Sequence, residues 1–369
     1  MSAEQLAASP EITARSNRFY VIDLLRGIFS ILVIAGHVFS SSVFVLGAQG
    51  MIVDFFFVVS GFVLEPSYPK SARDIKKARK FVVRRMVRLW PLTITALLLA
   101  LLVYAIEPQA TQFYGTSTNN FWFTYLSACL LLQVFVQSSY YWIGTLWSSS
   151  SMWFANLIAI PVLDNRKNWK LLATIAGSWL VMLYFFWSAD QAGVYPTPST
   201  GYLALIRTIF GFCIGLYLRS NFEKLRNINW LVSPATAASA LILLFASEYL
   251  EPVLITLVAA PIISVCVLFF AHREAQLRNY ISPKFASFAG RISFGVYLLH
   301  PIFIALFSYI IKSQSSVEAD SHPPAVTLQQ WIVYLLTVIC SVTLASMISN
   351  RIENPIQRRY SAWAKSRPQ

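Results

Sequence analysis

An arginine, a histidine and an aspartate interrupt the apolar stretch 26–62, RGIFSILVIAGHVFSSSVFVLGAQGMIVDFFFVVSGF. Ionisable groups at membrane depth are costly, and those that persist there mark working sites facing a bundle interior or a wet cavity. Arg26 and His37 are eleven residues apart, which is three helical turns plus about 20°, so both project from one face with about 16 Å between them along the axis. Folding the chain back near residue 45 brings Asp54 to nearly the depth of His37 and Glu65 to that of Arg26. A carboxylate beside an imidazole holds its tautomer and raises its basicity, as a general base requires, and burial keeps the ring neutral. His37 and Asp54 are therefore the candidate catalytic pair. The plainer reading makes Arg26 a snorkelling side chain and His37 a satisfied core histidine; their shared face favours chemistry.

Two further groups carry polar side chains in helical register. In RRMVRLWP, Arg85 and Arg88 share a face at i, i+3 beside Arg84. Guanidinium groups suit phosphate, but a basic anchor at a membrane edge explains the same residues, and spacing alone leaves the two readings level. In RISFGVYLLHP, Ser293, Tyr297 and His300 stand at 0, +4 and +7, with Pro301 loosening the helix beside His300. Such a stripe is either a set of substrate contacts lining a cavity or an interhelical hydrogen-bond patch. A helix stop and a cytoplasmic charge suffice to explain Glu353-Asn-Pro355. His37, His272, His300 and His322 form no ligand-spaced cluster, so no metal is expected; His272 and His322 read as loop residues. The cysteines, Cys129, Cys213, Cys266 and Cys340, lie in apolar runs without C-x-x-C spacing and read as buried thiols.

The chain that must position these groups is 56% hydrophobic and 12% charged, roughly half the charge of a soluble domain, with mean hydropathy +0.57. Repeated apolar runs predict an all-α, polytopic helical bundle in a single domain over 1–369. Ten spans are predicted, at 19–40, 50–65, 91–106, 148–163, 171–188, 202–218, 231–247, 252–271, 293–311 and 329–350. The first run is an uncleaved span, since Arg26 and His37 interrupt any signal-peptide core. Residues 65–90 read as a basic cytoplasmic loop, with Pro91 opening the third span. With the N-terminus inside, 27 of 29 Lys and Arg fall on the cytoplasmic side, Arg207 and Lys312 being outside that set. This bias predicts a polar cytoplasmic N-terminus (1–18) and a basic cytoplasmic C-terminus (351–369). It also requires that 121–136 re-enter or lie in the interface rather than cross. The net charge of +13 is thereby assigned to membrane topology and not to nucleic acid.

Together these stretches resemble the acyltransferase-3 family of integral-membrane O-acyltransferases. The likeness rests on Arg26 and His37 in the first span, DFFFVVSGF at 54–62, the Arg85/Arg88/Pro91 run, and SFGVYLLHP at 293–301 followed by Glu353. The resemblance implies transfer of an acyl group, usually acetyl, from cytoplasmic acyl-CoA to a carbohydrate hydroxyl of an envelope glycan or glycolipid in the inner membrane. In that picture His37 is catalytic, either as base or as acyl carrier, and Arg26, Arg85 and Arg88 hold the phosphates of CoA. One departure stands out: where members commonly carry W-S-x-S-x-E, this chain has WSSSSM, with Met152 in place of the glutamate. Two readings from other classes compete. One is a transporter or flippase, which would also bury ionisable groups but for which no inverted repeat is visible. The other is an inactive relative that binds without transferring.

Overall fold

The computed structural model describes residues 18–39, 49–106, 120–136, 142–164, 168–191, 201–246, 252–311 and 326–366. Lys312 and His322 lie outside these residues. The principal helices are α1 (Tyr20–Val38), α2 (Gln49–Leu64), α3 (Ile75–Ile106), α4 (Phe121–Cys129), α5 (Leu146–Val162), α6 (Asn168–Gln191), α7 (Gly201–Ser220), α8 (Pro234–Ala246), α9 (Pro252–His272), α10 (Pro283–Ile311), α11 (Leu328–Ile348) and α12 (Asn354–Ser366).

The fold is all-helical among the described residues. Seven helical segments there are long and apolar enough to cross a membrane, drawn from α1, α3, α6, α7, α9, α10 and the run Leu328–Ala364. The other three predicted spans coincide with helices of 16, 17 and 13 residues, α2, α5 and α8, so the count of ten is not established. The helix in the 121–136 stretch, α4, has only nine residues, about 14 Å of rise against a hydrocarbon core of about 30 Å. It ends in turns, with Leu131 in the left-handed region at φ 58°, so this helix is by itself too short to span.

Sequence adjacency suggests that α1 and α2 pack as a hairpin, but the pair touches only slightly; α1 lies along α10 and α2 along α7. Small residues decide this. A Cβ at Gly61 would overlap the Phe212 carbonyl, and one at Gly215 would overlap the Val58 carbonyl. The backbones of α2 and α7 therefore meet directly, as small residues permit between membrane helices. On the other side, a Cβ at Gly27 would stand 2.6 Å from that of Ala289. Gly215→Leu is expected to lower stability by about 1–3 kcal/mol, read as an earlier thermal unfolding midpoint in detergent. The matched control Gly177→Leu, at a position with nothing within 4 Å, is expected to leave it unmoved.

Two predicted boundaries are corrected. Pro91 does not open a helix: it lies inside the 32-residue α3. The basic residues before it ride on a helix whose Phe81 and Leu89 are buried, an amphipathic period that charge counting concealed. Helical hydroxyls at Thr93 and Thr95 bond back to the Leu89 and Pro91 carbonyls at 2.9 and 2.7 Å around this proline. Nor does the helical run stop at Glu353-Asn-Pro355. A π turn, Ser349–Glu353, joins α11 to α12, and a widened turn tolerates the missing N–H of Pro355. The stretch before α3 is anchored by Asp164, which accepts from Ala72 N at 2.9 Å and Ser71 Oγ at 3.2 Å. Those donors, the Ala72 N–H foremost, with Lys170 beside them hold its carboxyl below the usual range.

Candidate functional site

α1 presents Arg26 and His37 towards α10, the helix carrying Ser293, Tyr297 and His300. Between α1, α2, α3, α5 and α10 lies a cavity of about 260 Å³ lined by Arg26, Arg85, Arg88, Ser293 and Tyr297, together with Ser148 and Met152. Five of the predicted site residues thus meet in one space, although they come from three helices separated by many residues.

The arginines are not equally neutralised. Arg26 Nη1 lies 3.3 Å from Asp23 Oδ1, and Arg18 Nε is 2.7 Å from the same carboxylate. Asp23 sits where a side chain at residue 290 would otherwise be, 2.5 Å from the position of a Cβ on Gly290. Glu65, expected beside Arg26, instead accepts from Ser220 Oγ at 3.1 Å, because α2 follows α7 and not α1. Arg88 is 3.9 Å from Glu353 and donates to the Arg291 carbonyl at 3.4 Å. Arg85 makes no ion pair among the described residues, and its Nε is buried without a hydrogen-bond partner there. The rest of this guanidinium faces the cavity, where it is open to solvent or to an anionic ligand.

At the far end of the cavity the proline on α10 sets the geometry. Pro301 has no N–H, so the Tyr297 carbonyl, its helical partner, is released and accepts from Thr145 Oγ1 at 3.4 Å. One turn on, Ser148 Oγ lies 2.9 Å from both the Tyr297 phenol oxygen and the Thr145 carbonyl. The start of α5 is thereby tied to α10 at the tyrosine. Phe56 of α2 packs on Tyr297 with ring centroids 5.8 Å apart.

Beyond Tyr297 stand the histidines. The rings of His37 and His300 stack at 5.2 Å and 29°, and Tyr297 is 5.9 Å from His300. His300 is fully buried, while His37 is exposed. Neither histidine lines the cavity. The order along the bundle is arginines, then the Ser148–Tyr297 pair, then His300 and His37.

Asp54 is not the partner of His37. Its oxygens accept from Arg207 Nε at 2.9 Å and Nη2 at 2.8 Å, a bidentate buried pair joining α2 to α7. The hairpin geometry that placed it beside His37 fails because α2 faces α7. Arg207, which stood apart from the cytoplasmic charge count, is therefore one residue whose role sequence reasoning missed. The signal was an isolated basic residue in an apolar run with one isolated acid, Asp54, in another. Asp23 was missed as well; the visible signal was its i, i+3 spacing to Arg26.

A polytopic helical bundle holds a partly buried arginine cluster, paired hydroxyls and a histidine pair in sequence along its interior, the arrangement of an integral-membrane protein with a polar internal site. The family model described as an acyltransferase domain matches residues 19–350, and the chain belongs to that family. It is a multi-pass membrane acyltransferase acting on groups other than aminoacyl, which decides against the transporter reading. No curated protein and no solved structure matches it.

Proposed function

We propose that this chain is an inner-membrane O-acyltransferase that moves an acyl group, acetyl by default, from cytoplasmic acyl-CoA to a hydroxyl of an envelope glycan, exopolysaccharide or glycolipid. The termini lie on the cytoplasmic side in this reading, so the arginine cavity opens to the donor. The observation that carries it is Arg85, a partly buried guanidinium without a carboxylate among the described residues, in one cavity with Arg26 and Arg88. Phosphates of the donor are the anionic ligand there.

The thioester arm then extends from the arginines past Ser148 and Tyr297 towards His37. These hydroxyls offer hydrogen-bond donation to a carbonyl oxygen as charge develops on it. His37 at the exposed end of α1 takes the proton of the acceptor hydroxyl; its oxygen attacks the thioester carbonyl, the C–S bond breaks, and the CoA sulfur leaves as thiolate and is protonated. Arg85→Ala is expected to weaken acyl-CoA binding about 10- to 100-fold, as loss of a charged hydrogen-bonding group does, with binding followed by calorimetry on the purified protein. Unchanged affinity would remove the arginine cavity from donor binding.

Met152 favours a second reading. It lines the cavity at the position where the family resemblance implies a glutamate, so an inactive member that binds donor without transferring is the rival. Ester-linked acyl content of surface glycans separates the two, compared in a deletion strain complemented with the wild-type gene or with none. Ester lost on deletion and restored by the gene supports the enzyme; donor binding with no change in ester supports the inactive relative.

A further inference from the structure

The arginine cavity does not end at α3. A neighbouring cavity of about 300 Å³ shares Leu64, Arg85 and Arg88 with it and is walled by Gln357, Tyr360 and Ser361 of α12. These residues, with Glu353, recur at i, i+4, i+7 and i+8 and so form one helical face. The π turn Ser349–Glu353 aims that face inward: it inserts a residue into the turn and rotates the helix beyond it. Glu353 is accordingly buried against Arg88, while Arg351, Arg358 and Arg359 stay exposed. The Tyr360 hydroxyl donates to the Lys80 carbonyl at 3.3 Å, pinning α12 to α3. Gln357 Nε2 is buried, with no hydrogen-bond partner among the described residues.

We infer that α12 is the nucleotide wall of the donor site, with Tyr360 and Gln357 receiving the purine end of the donor and Arg84, Arg85 and Arg88 its phosphates. The chemistry of the wall fits such a head group. An aromatic ring offers a stacking surface for a base, an unpartnered amide offers a hydrogen bond to the base edge, and the adjoining guanidiniums suit phosphate. This inference rests on the acyl-CoA reading above. It also gives a role to residues that the sequence explained as a helix stop and a basic tail.

The test uses the full-length protein in nanodiscs and four probes: CoA, adenosine 3′,5′-bisphosphate, S-acetylpantetheine and phosphatidylglycerol. Gln357→Ala and Tyr360→Ala are expected to weaken CoA and the bisphosphate about tenfold, the loss of a hydrogen bond or a stacking contact. The ratio of their affinities to that of S-acetylpantetheine, which lacks the nucleotide, is expected to fall by the same factor. Arg359→Ala on the exposed face is expected to change neither. If wild type binds CoA and both variants bind it equally well, α12 is not part of the site. A parallel loss for S-acetylpantetheine would mean that α12 only supports the fold. Loss confined to phosphatidylglycerol would assign the wall to a lipid head group and overturn the nucleotide. If wild type binds neither CoA nor the bisphosphate, the donor reading itself falls first.

Discussion

Arg207→Ala is expected to yield little folded protein. The substitution leaves Asp54 buried at 1% exposure without the guanidinium that now engages both of its oxygens. Breaking a buried pair from one side costs about 3–5 kcal/mol, because the remaining charge is desolvated and alone. That is a large fraction of the stability of an ordinary domain. The damage should be local to the α2–α7 contact, which has no slack to adjust, since Gly61 and Gly215 already bring the two backbones into contact. The double variant Asp54→Leu/Arg207→Met is expected to recover much of the loss, because an apolar pair of similar size carries no desolvation penalty. Monodisperse yield and thermal midpoint in detergent report both outcomes. A stable Arg207→Ala protein would show that the pair does not hold the bundle and would return Asp54 to the list of chemical candidates. A stable Asp54→Asn protein with a shifted pH dependence of transfer would do the same.

His37→Ala is expected to lower acyl transfer by about 10²–10⁴-fold, the usual contribution of a positioned general base, while donor affinity stays near that of wild type. The separation follows from the order along the bundle: His37 stacks on His300 beyond Tyr297, and the arginines line a cavity that neither histidine touches. A deletion strain complemented with His37→Ala at equal expression should lack the ester that wild type restores, while the purified variant still binds CoA in calorimetry. Restoration of the ester would remove His37 from the chemistry. Loss of ester together with loss of CoA binding would instead mean that the substitution disturbs α1 as a whole, including the Arg26–Asp23 contact at its other end.

The amino-acid sequence by itself determined the helical membrane class, the approximate places of most helices and five of the residues that share the cavity. Hydropathy and helical period are local properties, read within one segment. The shared face of Arg26 and His37 and the stripe Ser293, Tyr297 and His300 survive in the structure because each set lies on a single helix. The motif order also sufficed for the family, which the match over residues 19–350 establishes. Tertiary structure decided partners. Asp54 belongs to Arg207 and Glu65 to Ser220, and Arg26 is neutralised by Asp23. Which helix lies against which was settled by glycine contacts between backbones far apart in the chain, and a charge takes whatever partner that packing presents. The continuation through Glu353 into α12 was hidden for a related reason: a proline normally ends a helix, and only the π turn lets this one continue.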